Sequence, residues 1–156
     1  MSLSLKELFE FADQQTSVIF NRSGHIMPMY HAVTKSGEHC LFPPMHHDKE
    51  VSTYLMRCLF DELEVECYVF IDEAWCVEVR DPKQLDFVDR VGARNHEDRR
   101  EIVMLIAETR DGQRMVGHRY ILRPEHGKPK LMPLKIMGEG ETSGRMVGLL
   151  KKESKQ

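Results

Sequence analysis

The stretch Cys67-Tyr68-Val69-Phe70-Ile71-Asp72-Glu73-Ala74-Trp75 decides the fold. Five apolar or aromatic residues in a row leave no polar face, the pattern of a strand buried on both sides. Strand alternation puts Val69, Ile71, Glu73, Trp75 and Val77 on one face and Phe70, Asp72, Ala74 and Cys76 on the other. Asp72 and Glu73 therefore diverge and, unless a bulge intervenes, do not form a carboxylate pair.

Upstream, Val51, Tyr54, Leu55, Cys58, Leu59 and Leu63 recur at helical spacing, with Ser52, Thr53, Arg57, Asp61 and Glu64 opposite. This predicts a helix over 49–64, capped by Asp48, that crosses over the sheet to reach the central strand. Before it, two strand-like runs flank Ser36-Gly37. A two-residue turn there sets Lys35 against Glu38, Val33 against Cys40 and His31 against Phe42. That register puts His31, Val33, Cys40 and Phe42 on one face and His39 on the other. Pro43-Pro44 ends the second run. At the start, Ser4-Leu5-Lys6-Glu7 is a capping box for a short helix over 5–14, and Val18-Ile19-Phe20 is a short apolar run before a turn.

Downstream, 81–100 is a charged connection with a helical turn near Leu85, Phe87 and Val88. Glu101 to Thr109 is a second nearly continuous apolar strand. Asp111-Gly112 is a hairpin signal that pairs Ala107 with Val116, Leu105 with His118 and Val103 with Tyr120. Leu131 to Met137 is a last strand, kept to an edge by Pro133. The order predicts an α+β domain over 1–137: one mostly antiparallel sheet of five to seven strands, the long helix packed on one face, and a short N-terminal helix. Residues 138–156 read as a flexible basic tail in which Arg145 to Leu150 can make one docked turn. Two strands apolar on both sides need two covers, from the N-terminal helix, the tail or a second subunit, so a homodimer is expected.

The 156 residues carry a net charge of −3. Residues 61–89 hold ten acids and two bases, whereas 90–156 hold nine acids and fifteen bases. Such a split suits two complementary faces of one fold or of two subunits. A basic nucleic-acid surface is the alternative, but the bases are interspersed with acids. No apolar run approaches twenty residues and no leader pattern opens the chain, so a cytoplasmic protein is expected. The four cysteines contain no Cys-x-x-Cys pair, and three of them sit inside apolar patterns, where a thiol behaves as a small hydrophobe.

Three groups of residues are candidate sites. Glu73 and Trp75 end the central strand, and with His118 they outline a ligand pocket in which Glu73 acts as a base. His96, Asp98 and Arg99 precede the second apolar strand as a charged contact for a partner. His31, Cys40, His46 and His47 have metal-ligand chemistry but none of the local spacings of a metal motif, so no metal and no cofactor are assigned. There is no nucleophile elbow, phosphate loop or dinucleotide fingerprint, and whether the chain is an enzyme stays open.

The spacing of Gly24-x-Ile26-x-Pro28, Asp48-Lys49, Phe70-Ile71-Asp72-Glu73-Ala74-Trp75 and His96-x-Asp98-Arg99-Arg100-Glu101 resembles small uncharacterised bacterial and bacteriophage-associated proteins across residues 24–123. The resemblance implies a microbial intracellular protein and supplies no catalytic residue. The leading expectation is a non-catalytic protein-binding module. A small hydrolase or ligand-binding enzyme, and a nucleic-acid binder using the basic half, are the alternatives.

Overall fold

The computed structural model describes residues 3–78, 87, 90–137 and 149–150. Its elements in chain order are α1 (Leu5–Ser23), β1 (Met29–Thr34), β2 (His39–Phe42), α2 (Lys49–Glu62), β3 (Val65–Cys76), a 3₁₀ turn (Ala93–Asn95), β4 (Arg100–Thr109), β5 (Arg114–Leu122), β6 (Lys130–Leu131) and β7 (Lys135–Ile136). The sheet has the order β2-β1-β3-β4-β5-β6, with β7 also on β5, and every pairing is antiparallel. This is the expected α+β architecture. The expected last strand is two short ones, because Pro133-Leu134 interrupts its pairing to β5.

Both faces of the sheet are covered from within the chain. On one, Leu8, Phe9, Ala12 and Phe20 of α1 pack on Val33, Cys67, Val69, Ile71, Val103, Leu105 and Ala107. On the other, Met56 and Phe60 of α2 join Leu149 and Leu150 over Tyr30, Ala32, Tyr68 and Phe70. The need for two covers thus no longer argues for a second subunit. Leu149 and Leu150 fall within the docked turn expected in the tail; the rest of that tail, and most of the helical turn expected near Leu85, Phe87 and Val88, lie outside the described residues.

Four sequence expectations are corrected. Helix α1 runs to Ser23 rather than residue 14, and Val18-Ile19-Phe20 belongs to it. Thr16 and Phe20 continue the buried stripe, and the Thr16 hydroxyl donates to the Ala12 carbonyl at 2.7 Å, so β-branched residues sit in the helix without orphaned polar groups. Both hairpins are shifted by one residue. Each loop has three residues, not two. The Gly37 and Gly112 amides donate to the Thr34 and Thr109 carbonyls, and both glycines have positive φ, 89° and 93°. That is a turn followed by a left-handed residue, which adds one position to the loop. The observed pairs are His31 with Leu41, Val33 with His39, Leu105 with Gly117 and Val103 with Arg119.

The fourth correction is the buried side of α2. Ser52, Met56 and Phe60 face the sheet, while Val51, Tyr54, Leu55 and Cys58 are exposed. The two large apolar side chains at i and i+4 match the aromatic floor of Tyr30, Tyr68 and Phe70, and that match selects the helix face.

Candidate functional site

The register of the second hairpin separates the residues expected to share a pocket. Glu73 lies on the α1 side of β3, opposite Val103, and its Oε1 accepts from the Ile26 amide at 2.8 Å. Its carboxylate fastens the chain that leaves α1, a structural task. His118 pairs with Met104 and so lies on the other face, in the row of Asp72. There its ring meets Tyr120 edge-on at 5.1 Å, and its Nε2 is buried without a hydrogen-bond partner among the described residues. Burial, reinforced by the charges of Lys135 and Arg100 against that of Glu78, holds its pKa below the ordinary value. Tyr120 carries the Arg100 guanidinium 3.6 Å over its ring, and its hydroxyl donates to Glu78. The described residues thus set Glu73 and His118 on opposite faces of the sheet rather than in one pocket.

Trp75 does meet the other predicted group. It is 39% exposed, and Arg99 sits 5.0 Å over its ring. The Arg99 Nη1 donates to the His96 carbonyl at 3.3 Å, the His96 Nδ1 accepts from the Asp98 amide at 3.0 Å, and Phe87 lies edge-on to His96 at 5.6 Å. His96, Asp98 and Arg99 are therefore one ordered turn laid against an exposed tryptophan. Stacked Trp–Arg pairs have the composition of interface anchors.

The histidines are also redistributed. His31 and His39, expected on opposite faces, are on the same one, with His31 Nε2 and His39 Nδ1 at hydrogen-bond distance, 2.8 Å. Phe11 of α1 stands edge-on over both rings. Cys40, expected beside His31, is on the α2 face, because each hairpin residue moves one place. His46 and His47 stack on each other at 4.2 Å, and the His46 Nδ1 accepts from the Asp48 amide. Among the described residues no group of three or more His, Cys, Asp or Glu side chains could hold a metal ion.

Two features escaped sequence reasoning. One is the outer face of α2, where Val51 (41% exposed), Tyr54 (67%), Leu55 (37%) and Cys58 have no cover among the described residues. The other is a buried polar chain on the α2 side of the sheet. The Tyr68 hydroxyl donates to Glu108 Oε2 at 2.8 Å, and Arg114 holds Glu108 Oε1 through two nitrogens at 2.7 Å. The signal for it was present: a three-residue loop sets the opposite charges Glu108 and Arg114 directly across the hairpin. No family model, curated protein or solved structure matches the chain.

Proposed function

We propose that the chain is a non-catalytic protein-contact module that pairs with a second copy of itself through the outer face of α2. One observation carries the reading. A helix with apolar residues on two faces has both covered in an interior, yet α2 buries only its Met56–Phe60 side in its own sheet. Val51, Tyr54, Leu55 and Cys58 are left as a second stripe along the same helix.

The flanking charges favour a copy of this chain as the occupant. Glu50 and Arg57 bracket Tyr54, one turn to either side, around a surface hollow. In an antiparallel pairing about a two-fold axis near Thr53 and Tyr54, each Glu50 lies beside the other copy's Arg57, so the stripe is self-complementary. The exposed Trp75–Arg99 pair is a separate surface suited to a different protein partner.

Four arginines of the basic half are engaged by carboxylates: Arg110 with Asp61, Arg114 with Glu108, Arg119 with Asp13 and Arg123 with Glu101. Their charge serves the fold, which speaks against a nucleic-acid surface. No helix among the described residues is long and apolar enough to cross a membrane. A reducing cytoplasm suits the four free cysteines, one of them within the α2 stripe.

Sedimentation equilibrium over a broad concentration range tests the pairing. The native chain is expected to be a dimer, and Tyr54→Glu or Leu55→Glu to be a monomer with unchanged circular dichroism. A native chain that stays monomeric throughout, or a dimer indifferent to both substitutions, rejects the proposal.

A further inference from the structure

A cavity of about 450 Å³ opens on the α1 side of the sheet, between the first turn of α1, the first hairpin and the start of β3. Leu3, Val33 and Cys67 give it an apolar lining continuous with the core beneath α1. Its volume falls in the range of small-molecule sites, roughly 300–1,000 Å³. Three polar side chains from three elements converge on that lining, and each is set in place by a feature of its own.

Glu66 arrives through a β-bulge. Val33 pairs with Cys67 but Thr34 with Val65, so Glu66 is the extra residue in β3. Val65 and Cys67, two places apart, consequently point to opposite faces, Val65 to the α2 layer and Cys67 to the α1 layer. The bulge turns Glu66 to the cavity with Cys67, whereas regular alternation back from Cys67 would send it to the α2 side. Glu7 comes from α1. The Ser4 amide donates to its Oε2 at 2.8 Å, and bonding to Ser4 holds its pKa below the ordinary value, so the carboxylate is oriented and ionised. His39 comes from β2. Its Nδ1 is engaged by His31 at 2.8 Å and Phe11 stands edge-on to its ring, which leaves Nε2 as the nitrogen that can meet a ligand.

We propose that this cavity binds a small primary amine with a short apolar body. The ammonium is taken by the Glu66 and Glu7 carboxylates with His39 beside them, and the body lies on Leu3, Val33 and Cys67. Charge selects the class. The Glu66 carboxylate has no ion pair or hydrogen bond among the described residues, and Lys35 at the hairpin end is the opposing charge, so two carboxylates outweigh one ammonium. An anion is repelled by that balance, and a neutral apolar molecule leaves both carboxylates without a cation. These side chains are not grouped closely enough to hold a metal ion, so the occupant is an organic cation with a body of its own. The site is on the sheet face opposite α2, so it stands or falls separately from pairing through that helix.

The test titrates n-pentylamine into the full chain near neutral pH and follows backbone amide chemical shifts, with 1-pentanol and pentanoate as controls of the same length. Saturable shifts are expected at Val33, His39, Glu66 and Cys67, with a dissociation constant on the order of 1 mM, within reach of so small a ligand. Both controls should bind at least about tenfold more weakly. Glu66→Gln should weaken the amine by about tenfold or more, and Glu7→Gln, which preserves the capping box, by about threefold, while Lys35→Met should tighten it. Pentylamine shifts that do not saturate, or that match those of 1-pentanol, overturn the proposal. So does an unchanged affinity in Glu66→Gln. Should Glu66→Gln disturb the bulge and unfold the chain, Glu7→Gln decides, and an affinity equal to that of the native chain overturns the proposal.

Discussion

At the scale of single residues, two titrating groups pull stability in opposite directions with pH. His31 is buried, and both its burial and the neighbouring His39 lower its pKa below the ordinary 6.5. Phe11 faces it from α1, Val69 adjoins it on β3, and Glu7 and Glu66 share with His39 the cavity of about 450 Å³ beside the pair. The unfolded chain therefore protonates His31 first, and stability falls as pH drops through 6.5. Asp72 has the reverse sign. Burial pushes its carboxyl up to about 6 from an ordinary 3.8, so the folded chain binds the proton more tightly and this group stabilises as pH falls through 6. Urea unfolding at pH 8 and pH 5 separates them. His31→Gln should remove part of the acid sensitivity. Asp72→Asn should stabilise by on the order of 1 kcal/mol at pH 8, discounted for partial solvation, and be neutral near pH 4. The same logic of buried charge applies to Glu108. Arg114→Ala leaves that carboxylate buried with its ion pair gone and should cost about 3 kcal/mol, whereas Tyr68→Phe should cost about 1 kcal/mol, both read from denaturant midpoints.

At the scale of elements, the two hairpins share one loop. In each a threonine hydroxyl accepts from the amide four residues on, Thr34 from Glu38 and Thr109 from Gln113, and a left-handed glycine precedes that residue. Gly37 and Gly112 have open space around the missing Cβ, so Gly→Ala at either should cost only backbone strain, about 1 kcal/mol in thermal or urea unfolding. A loss well above that would mean the loops carry more than register. This loop also explains what was legible beforehand. Strands, their order along the chain and the crossover helix follow from apolar runs and periodicity, and those survive a shift of one residue. Which side a residue faces does not, and so His31, His39, Cys40 and His118 were each misplaced relative to their neighbours. In the first hairpin the apparent Lys35–Glu38 pair favoured the wrong register. In the second, the Glu108–Arg114 pair favoured the right one. Helix α2 was misread for a different reason: its apolar residues occupy two faces, and periodicity alone cannot say which one the sheet takes.

At the scale of the whole molecule, α1 is the element that draws the parts together, since it packs across β3, β4, β5 and β6. Two contacts tie its flanks to the last hairpin. Asp13 receives both Arg119 Nε and Nη2, at 2.7 and 2.8 Å, and the ring of Phe9 lies where a Cβ on Gly117 would be, 2.8 Å away. Gly117→Ala should therefore destabilise by about 1–3 kcal/mol, because Phe9 on one side and the Lys135 carbonyl, 3.1 Å away, on the other leave little room to shift. A variant as stable as the native chain by calorimetry would show that α1 can slide. This arrangement has a consequence for biosynthesis. Helix α1 leaves the ribosome well before part of the platform it docks on, which lies about a hundred residues later, as the 106-residue separation of Asp13 and Arg119 records. At ordinary translation speeds of about 5–20 residues per second, Leu8, Phe9 and Phe20 wait several seconds for the β4 and β5 part of their partners. The nascent chain carries part of that apolar stripe uncovered until β5 emerges, and its vulnerability to mispairing is concentrated in that interval.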